Sequence, residues 1–123
     1  MAAFGLPRSA RLLTRRDFAS LREQSERLST RIFVAEYRPS SRGCVRLGVA
    51  ISRRVSKRAV VRNRIRRTIR ESFRLHRAGL PHLDILLIAR SLSAQQTNPH
   101  LRADLEGIWR KLSASHATVA LNE

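Results

Sequence analysis

Between Arg53 and Arg67 the chain places eight cationic side chains and no carboxylate: Arg53-Arg54-Val55-Ser56-Lys57-Arg58-Ala59-Val60-Val61-Arg62-Asn63-Arg64-Ile65-Arg66-Arg67. A guanidinium presents a planar fork of donors that matches phosphate oxygens and stacks on bases, so this run is suited to binding a polyanion. Affinity would come mainly from counterion release and would depend strongly on salt. A solvated helix face normally mixes signs, whereas residues 53–77 hold eleven cations and a single acid, Glu71. A localisation signal would account for the charge but not for the apolar residues set between the arginines. Hydrolysis, by contrast, needs carboxylates to hold metal or to move protons. The nine acidic residues form no clustered pair in an apolar setting. Asp104 and Glu106 are two apart and do not face each other on a helix. Asp17, Glu23 and Glu26 lie among arginines and balance local charge. His76, His82, His100 and His116 lack metal-ligand spacing, Cys44 has no neighbouring base, and no Gly-rich lysine loop is present. The expected metal ligands and catalytic residues within the chain are therefore none.

These side chains belong to a chain of 123 residues with 25 Lys+Arg, 9 Asp+Glu and a formal net charge of +16. All but Lys57 and Lys111 of the cations are arginine. Charge of this size repels itself unless a polyanion neutralises it, which points to nucleic acid ahead of an anionic membrane. Residues 53–77 carry +10 of the excess, residues 1–52 carry +6, and residues 78–123 are neutral. No repeat or low-complexity linker divides the chain, so one domain over 1–123 is expected, ordered over about 6–113 with a fraying tail at 114–123. At 42% hydrophobic it is not a disordered basic tail, and one cysteine excludes a disulfide framework. No apolar run reaches the roughly 20 residues of a membrane span. Met1 to Leu13 is broken by Pro7, Arg8 and Arg11 and lacks a signal-peptide core. A cytoplasmic protein without a membrane partner is the expectation.

The elements that must position the arginines follow from periodicity. Thr14 and Asp17 resemble a capping box, with Leu13 and Phe18 as a hydrophobic staple, opening a short helix over about 15–24. Ile32 to Tyr37 reads as a strand stopped by Pro39 and the turn Ser40-Ser41-Arg42-Gly43. Val45, Leu47, Val49 and Ile51 alternate as a second strand with a bend at Gly48, and the two suggest a hairpin. A helix over about 57–77, with Ser56 as N-cap, puts Val61, Ile65, Thr68, Ile69 and Ser72 within an arc of about 100°, Phe73 extending its edge. Arg62, Asn63, Arg66, Arg70, Arg74 and Arg77 fall opposite. Gly79 and Pro81 end it. Ile85 to Ala89 is a continuous apolar strand covered on both faces. Asn98 as N-cap and Pro99 at the first helical position open a last helix with Leu101, Leu105, Ile108, Trp109 and Leu112 inward. The sum is an α+β domain, one sheet with helices packed on it.

The run Val61-Arg62-Asn63-Arg64-Ile65-Arg66-Arg67 with Arg70 resembles the RNR motif of the bacterial ribonuclease P protein component. Leu12-Leu13-Thr14 with Asp17-Phe18, Arg46 to Ser52, Asp84 to Arg90 and Leu105 to Leu112 resemble other segments of that family in order and spacing, over about residues 6–112. The resemblance implies a four-stranded sheet with three helices and a left-handed β-α-β crossover through the arginine helix, a hand opposite to the usual rule. It implies the protein subunit of a ribonucleoprotein endonuclease that removes the 5′ leader from precursor tRNA. The RNA subunit and its bound Mg²⁺ would carry the hydrolysis, while the protein binds the RNA subunit and the leader. Arg62, Asn63, Arg64, Arg66 and Arg67 match the motif and would contact the RNA subunit, joined by Arg53, Arg54, Lys57, Arg58 and Arg70. Phe18 matches an aromatic of the leader cleft, with Phe33 and Tyr37 as further cleft candidates. Arg22 stands where many members carry a second aromatic, and Ser25 where a glycine often ends the first helix; Arg22 would then meet the leader through phosphate contact or planar stacking. A ribosomal or ribosome-assembly RNA-binding protein shares the charge, size and fold class. A DNA partner is not expected, because no helix-turn-helix pattern is present.

Overall fold

Strand β4, Leu83–Ala89, is apolar along both faces, and the sheet gives it an interior place with a neighbour on each edge. The computed structural model describes Ala10, Arg11, Arg16, Ala19, Leu21, Glu23 and residues 25–121. Strands β1 (Glu26–Ser29), β2 (Phe33–Pro39), β3 (Arg46–Ala50) and β4 lie in the order β1-β2-β4-β3. β1 and β2 pair antiparallel, as do β2 and β4, while β3 and β4 run parallel. The helix α1 (Ala59–His76) is the crossover between that parallel pair. A 3-10 turn, Arg77–Gly79, follows α1, and another, Ser91–Gln95, precedes α2 (Asn98–Leu121).

The expected hairpin between the second and third strands does not form. β4 inserts between them, pairing antiparallel with β2 and parallel with β3, which puts its two-faced apolar run in the interior of the sheet. The hairpin is instead β1–β2, closed by a tight turn in which Thr30 N–H donates to Phe33 O at 2.8 Å. The Thr30 hydroxyl accepts from the backbone of Ile32 and Phe33. β1 was not foreseen: its four residues carry one apolar side chain, Leu28, too few to show alternation. Gly48 lies within the β3 ladder, opposite Leu86. The glycine a turn does require is Gly43, at φ +69° in the loop between β2 and β3. Arg16, Ala19, Leu21 and Glu23 are helical, within the expected first helix. Its capping box and staple, Leu13, Thr14, Asp17 and Phe18, lie outside the described residues.

The core forms between one face of the sheet and the two long helices. Phe33, Ala35, Leu47, Ile85 and Leu87 meet Ile65, Ile69 and Phe73 of α1 and Leu101, Leu105, Ile108, Trp109 and Leu112 of α2. Trp109 packs edge-on against Phe73 at 5.7 Å, and its indole N–H donates to the buried Ser72 hydroxyl at 2.9 Å. Helix α2 continues to Leu121. It is opened by Thr97, whose carbonyl accepts from Leu101 N–H and whose hydroxyl accepts from His100 N–H, in place of the expected Asn98 cap.

The other sheet face carries a buried ion pair. Arg46 and Asp84 are register partners on β3 and β4 and meet through two hydrogen bonds of 2.8 and 2.9 Å. Arg38, the partner of Asp84 on β2, approaches it to 3.6 Å. Nothing in the sequence announced this contact between strands 38 residues apart in the chain.

Candidate nucleic-acid interface

Helix α1 buries Ile65, Thr68, Ile69, Ser72 and Phe73, the arc expected from periodicity, with Val61 half-buried at its start. One face of the helix is committed to the core, so its arginines must stand on the others. The N-terminus is not capped by Ser56. The N-cap is Arg58, with extended backbone and no side-chain hydrogen bond, and the first turn contains no acid. Ser56 sits two residues earlier, where its hydroxyl accepts from Arg58 N–H at 3.2 Å. The positive end of the helix dipole therefore coincides with Arg58, Lys57, Arg54 and Arg53, all exposed. The buried Val55 anchors the turn that presents them.

The motif residues divide into two kinds. Arg67 and Arg70 are exposed. Among the described residues none of Arg53, Arg54, Lys57, Arg58, Arg67 and Arg70 pairs with a carboxylate. The Arg70 guanidinium has a pKa below its ordinary value; partial burial is the main cause, and the charges of Arg66 and Arg11 add to it. The cationic surface is thus dense enough for its members to repel each other. Arg62, Arg64 and Arg66 are half-buried and make internal contacts. Arg62 donates to Ser56 O at 2.8 Å and Arg66 to the Asn63 amide oxygen at 3.0 Å. Arg64 reaches across to the segment leading into α2, donating to Asn98 Oδ1 at 2.7 Å, Gln96 O at 3.2 Å and Ala94 O at 3.5 Å. Sequence reasoning missed Asn98 in this role; the two residues are 34 positions apart, and no local signal pairs them.

Only part of the expected leader cleft can be located. Phe18 and Arg22 lie outside the described residues. Phe33 is corrected: its ring has no exposed surface and fills the main core beneath the helices, so it cannot stack on a base. Strand alternation forces this, since Phe33 shares the inward face with Ala35. Tyr37 is half-buried against the same core. Burial raises its hydroxyl pKa, and the adjacent Glu26 raises it further.

Residues 6–113 match the family model described as Ribonuclease P. The chain belongs to the ribonuclease P protein family. A ribonuclease P protein component from Legionella pneumophila (strain Lens) is 35% identical over 113 residues, covering 92% of this chain and 97% of the relative. The solved RNase P protein of Staphylococcus aureus superposes with a TM-score of 0.78 at 28% identity, over 82% of this chain and 93% of that one. That of Thermotoga maritima gives 0.74 at 27% identity, over 82% and 96%. The α+β fold with a mixed four-stranded sheet and two long helices is therefore that of ribonuclease P proteins. The matched segment contains the whole of α1 and the part of α2 that packs on it. Among the described residues no three His, Cys, Asp or Glu gather where they could hold a metal ion. No described helix is long and apolar enough to cross a membrane.

Proposed function

We propose that the chain is the RNA-binding subunit of ribonuclease P, assisting a catalytic RNA in removing the 5′ leader of precursor tRNA in the cytoplasm. The observation that carries this reading is the exposed cationic surface of α1 and the turn before it, unpaired with carboxylates among the described residues. Its role is to neutralise crowded phosphates so that the RNA subunit holds its active shape. Arg53, Arg54, Lys57, Arg58, Arg67 and Arg70 supply the charge. Arg62, Arg64 and Arg66, braced by internal hydrogen bonds, hold the surface in one conformation. Hydrolysis belongs to the RNA subunit with Mg²⁺ bound mainly there, and the described side chains offer no carboxylate cluster for that ion. Phe18 and Arg22 remain the proposed leader contacts.

Cleavage of precursor tRNA by the RNA subunit is measured with and without the protein while Mg²⁺ is titrated. The protein should lower the Mg²⁺ demand. Unchanged cleavage, together with co-sedimentation on ribosomal subunits, would favour a ribosomal RNA-binding protein instead.

A further inference from the structure

Between α1 and the start of α2 lies an open groove of about 380 Å³ lined by Val60, Asn63, Arg64, Arg67, Thr68 and Asn98. That volume lies within the range of small-molecule sites, roughly 300–1,000 Å³. We infer that this groove receives a single unstacked nucleotide of the RNA partner, its ring against Val60 and its phosphate on Arg67.

Four observations converge. The lining contains no acid, and Arg67 at its edge has neither a hydrogen-bond nor an ion-pair partner among the described residues. Both amide oxygens are already occupied: Asn63 Oδ1 accepts from Arg66 and Asn98 Oδ1 from Arg64. The NH₂ groups of both amides have no partner among the described residues, so the groove presents donors and suits an occupant that presents acceptors, as phosphates and base edges do. A bare phosphate would satisfy those donors but would leave Val60 unused. Val60 is 64% exposed; Leu75, the other large hydrophobic so exposed among the described residues, stands near the far end of the same helix, outside the groove, so Val60 is the groove's apolar wall. An apolar surface beside a free guanidinium suits a base and its phosphate together. The walls are fixed as well, because Arg64 ties Asn98, Gln96 and Ala94 to α1, so little ordering is left to occur on binding.

The proposal rests on the RNA-binding reading above, and one experiment separates their failures. Affinity of the full chain for the ribonuclease P RNA subunit is measured across a salt series for the parent, Val60→Thr, Val60→Ala and Arg67→Ala. Both Val60 variants should bind about tenfold more weakly with the salt slope unchanged, because the lost contact is apolar. Arg67→Ala should flatten the slope by about 0.9. Chemical probing should find one base that the parent protects and Val60→Thr leaves reactive. An abasic residue at that place should weaken parent binding about as much as Val60→Thr, and the two together should cost no more than either. Parent-like affinity of both Val60 variants, or additive losses at every abasic position, would overturn the nucleotide site, leaving the RNA-binding reading intact if Arg67→Ala still flattens the slope. Failure of the parent protein to bind the RNA subunit would overturn both.

Discussion

Arg64 and Arg67 are one helical turn apart on α1, carry the same group, and are put to different uses. The Arg64 guanidinium is spent on Asn98 and two carbonyls, whereas Arg67 points to solvent. Hydrogen bonds involving a charged group contribute about 1.5–3 kcal/mol. Arg64→Ala should therefore lower unfolding stability in urea by about 2 kcal/mol, while Arg67→Ala should stay within about 0.5 kcal/mol of the parent. Equal effects from the two would show that the tether does not stabilise the fold. Asp84, 1% exposed, holds Arg46 through two hydrogen bonds. Asp84→Ala removes both of these hydrogen bonds from a buried guanidinium, and about 3–5 kcal/mol of stability should be lost. Replacing the pair together, Arg46→Met with Asp84→Leu, should recover much of that loss. A double variant as unstable as Asp84→Ala would place the cost in packing rather than in the broken ion pair.

Helix α1 joins two requirements that conflict electrostatically. Its inner face docks on the sheet and α2 through Ile65, Ile69 and Phe73, and its other faces crowd like charges together. Its one acid, Glu71, forms a two-point contact with Arg74 at 2.6 and 3.2 Å. Hydrogen bonding to Arg74 holds the Glu71 carboxyl below its ordinary 4.5; desolvation opposes this more weakly, and the Arg74 charge, weaker again, adds to the lowering. A carboxylate with a lowered folded pKa stabilises the folded state above its unfolded value and loses that contribution as pH falls through the folded one. Thermal unfolding of Glu71→Gln, followed from pH 6 down through the carboxylate range, should fall less steeply below about 4.5 than that of the parent. Parallel curves would mean the pair contributes nothing, a common result for exposed ion pairs.

Across the molecule, the described cations of the arginine segment that lack a carboxylate partner gather on α1 and the turn before it, while the sheet and α2 serve as the support. If the six exposed residues Arg53, Arg54, Lys57, Arg58, Arg67 and Arg70 all meet phosphates, log K should fall with log salt at a slope of about −5 on RNA. A slope near −1 in a filter-binding series would mean that another face meets the RNA. The partner class, the arginine helix and its buried arc were all legible beforehand. Each depends on residue type or on a period within one element, and neighbours in sequence report those directly. The interior place of β4 was half legible: its double-sided apolar run signalled coverage on both faces but not which strands would flank it, hence the misplaced hairpin. β1 was too short to show a pattern. Tertiary structure alone decided the Arg46–Asp84 pair, the commitment of Arg64 to Asn98, the burial of Phe33 and the groove beside Val60. Each of these joins residues about 30 or more positions apart or depends on which face of a strand meets the helices, and such contacts exist only once packing has fixed the register of one element against another.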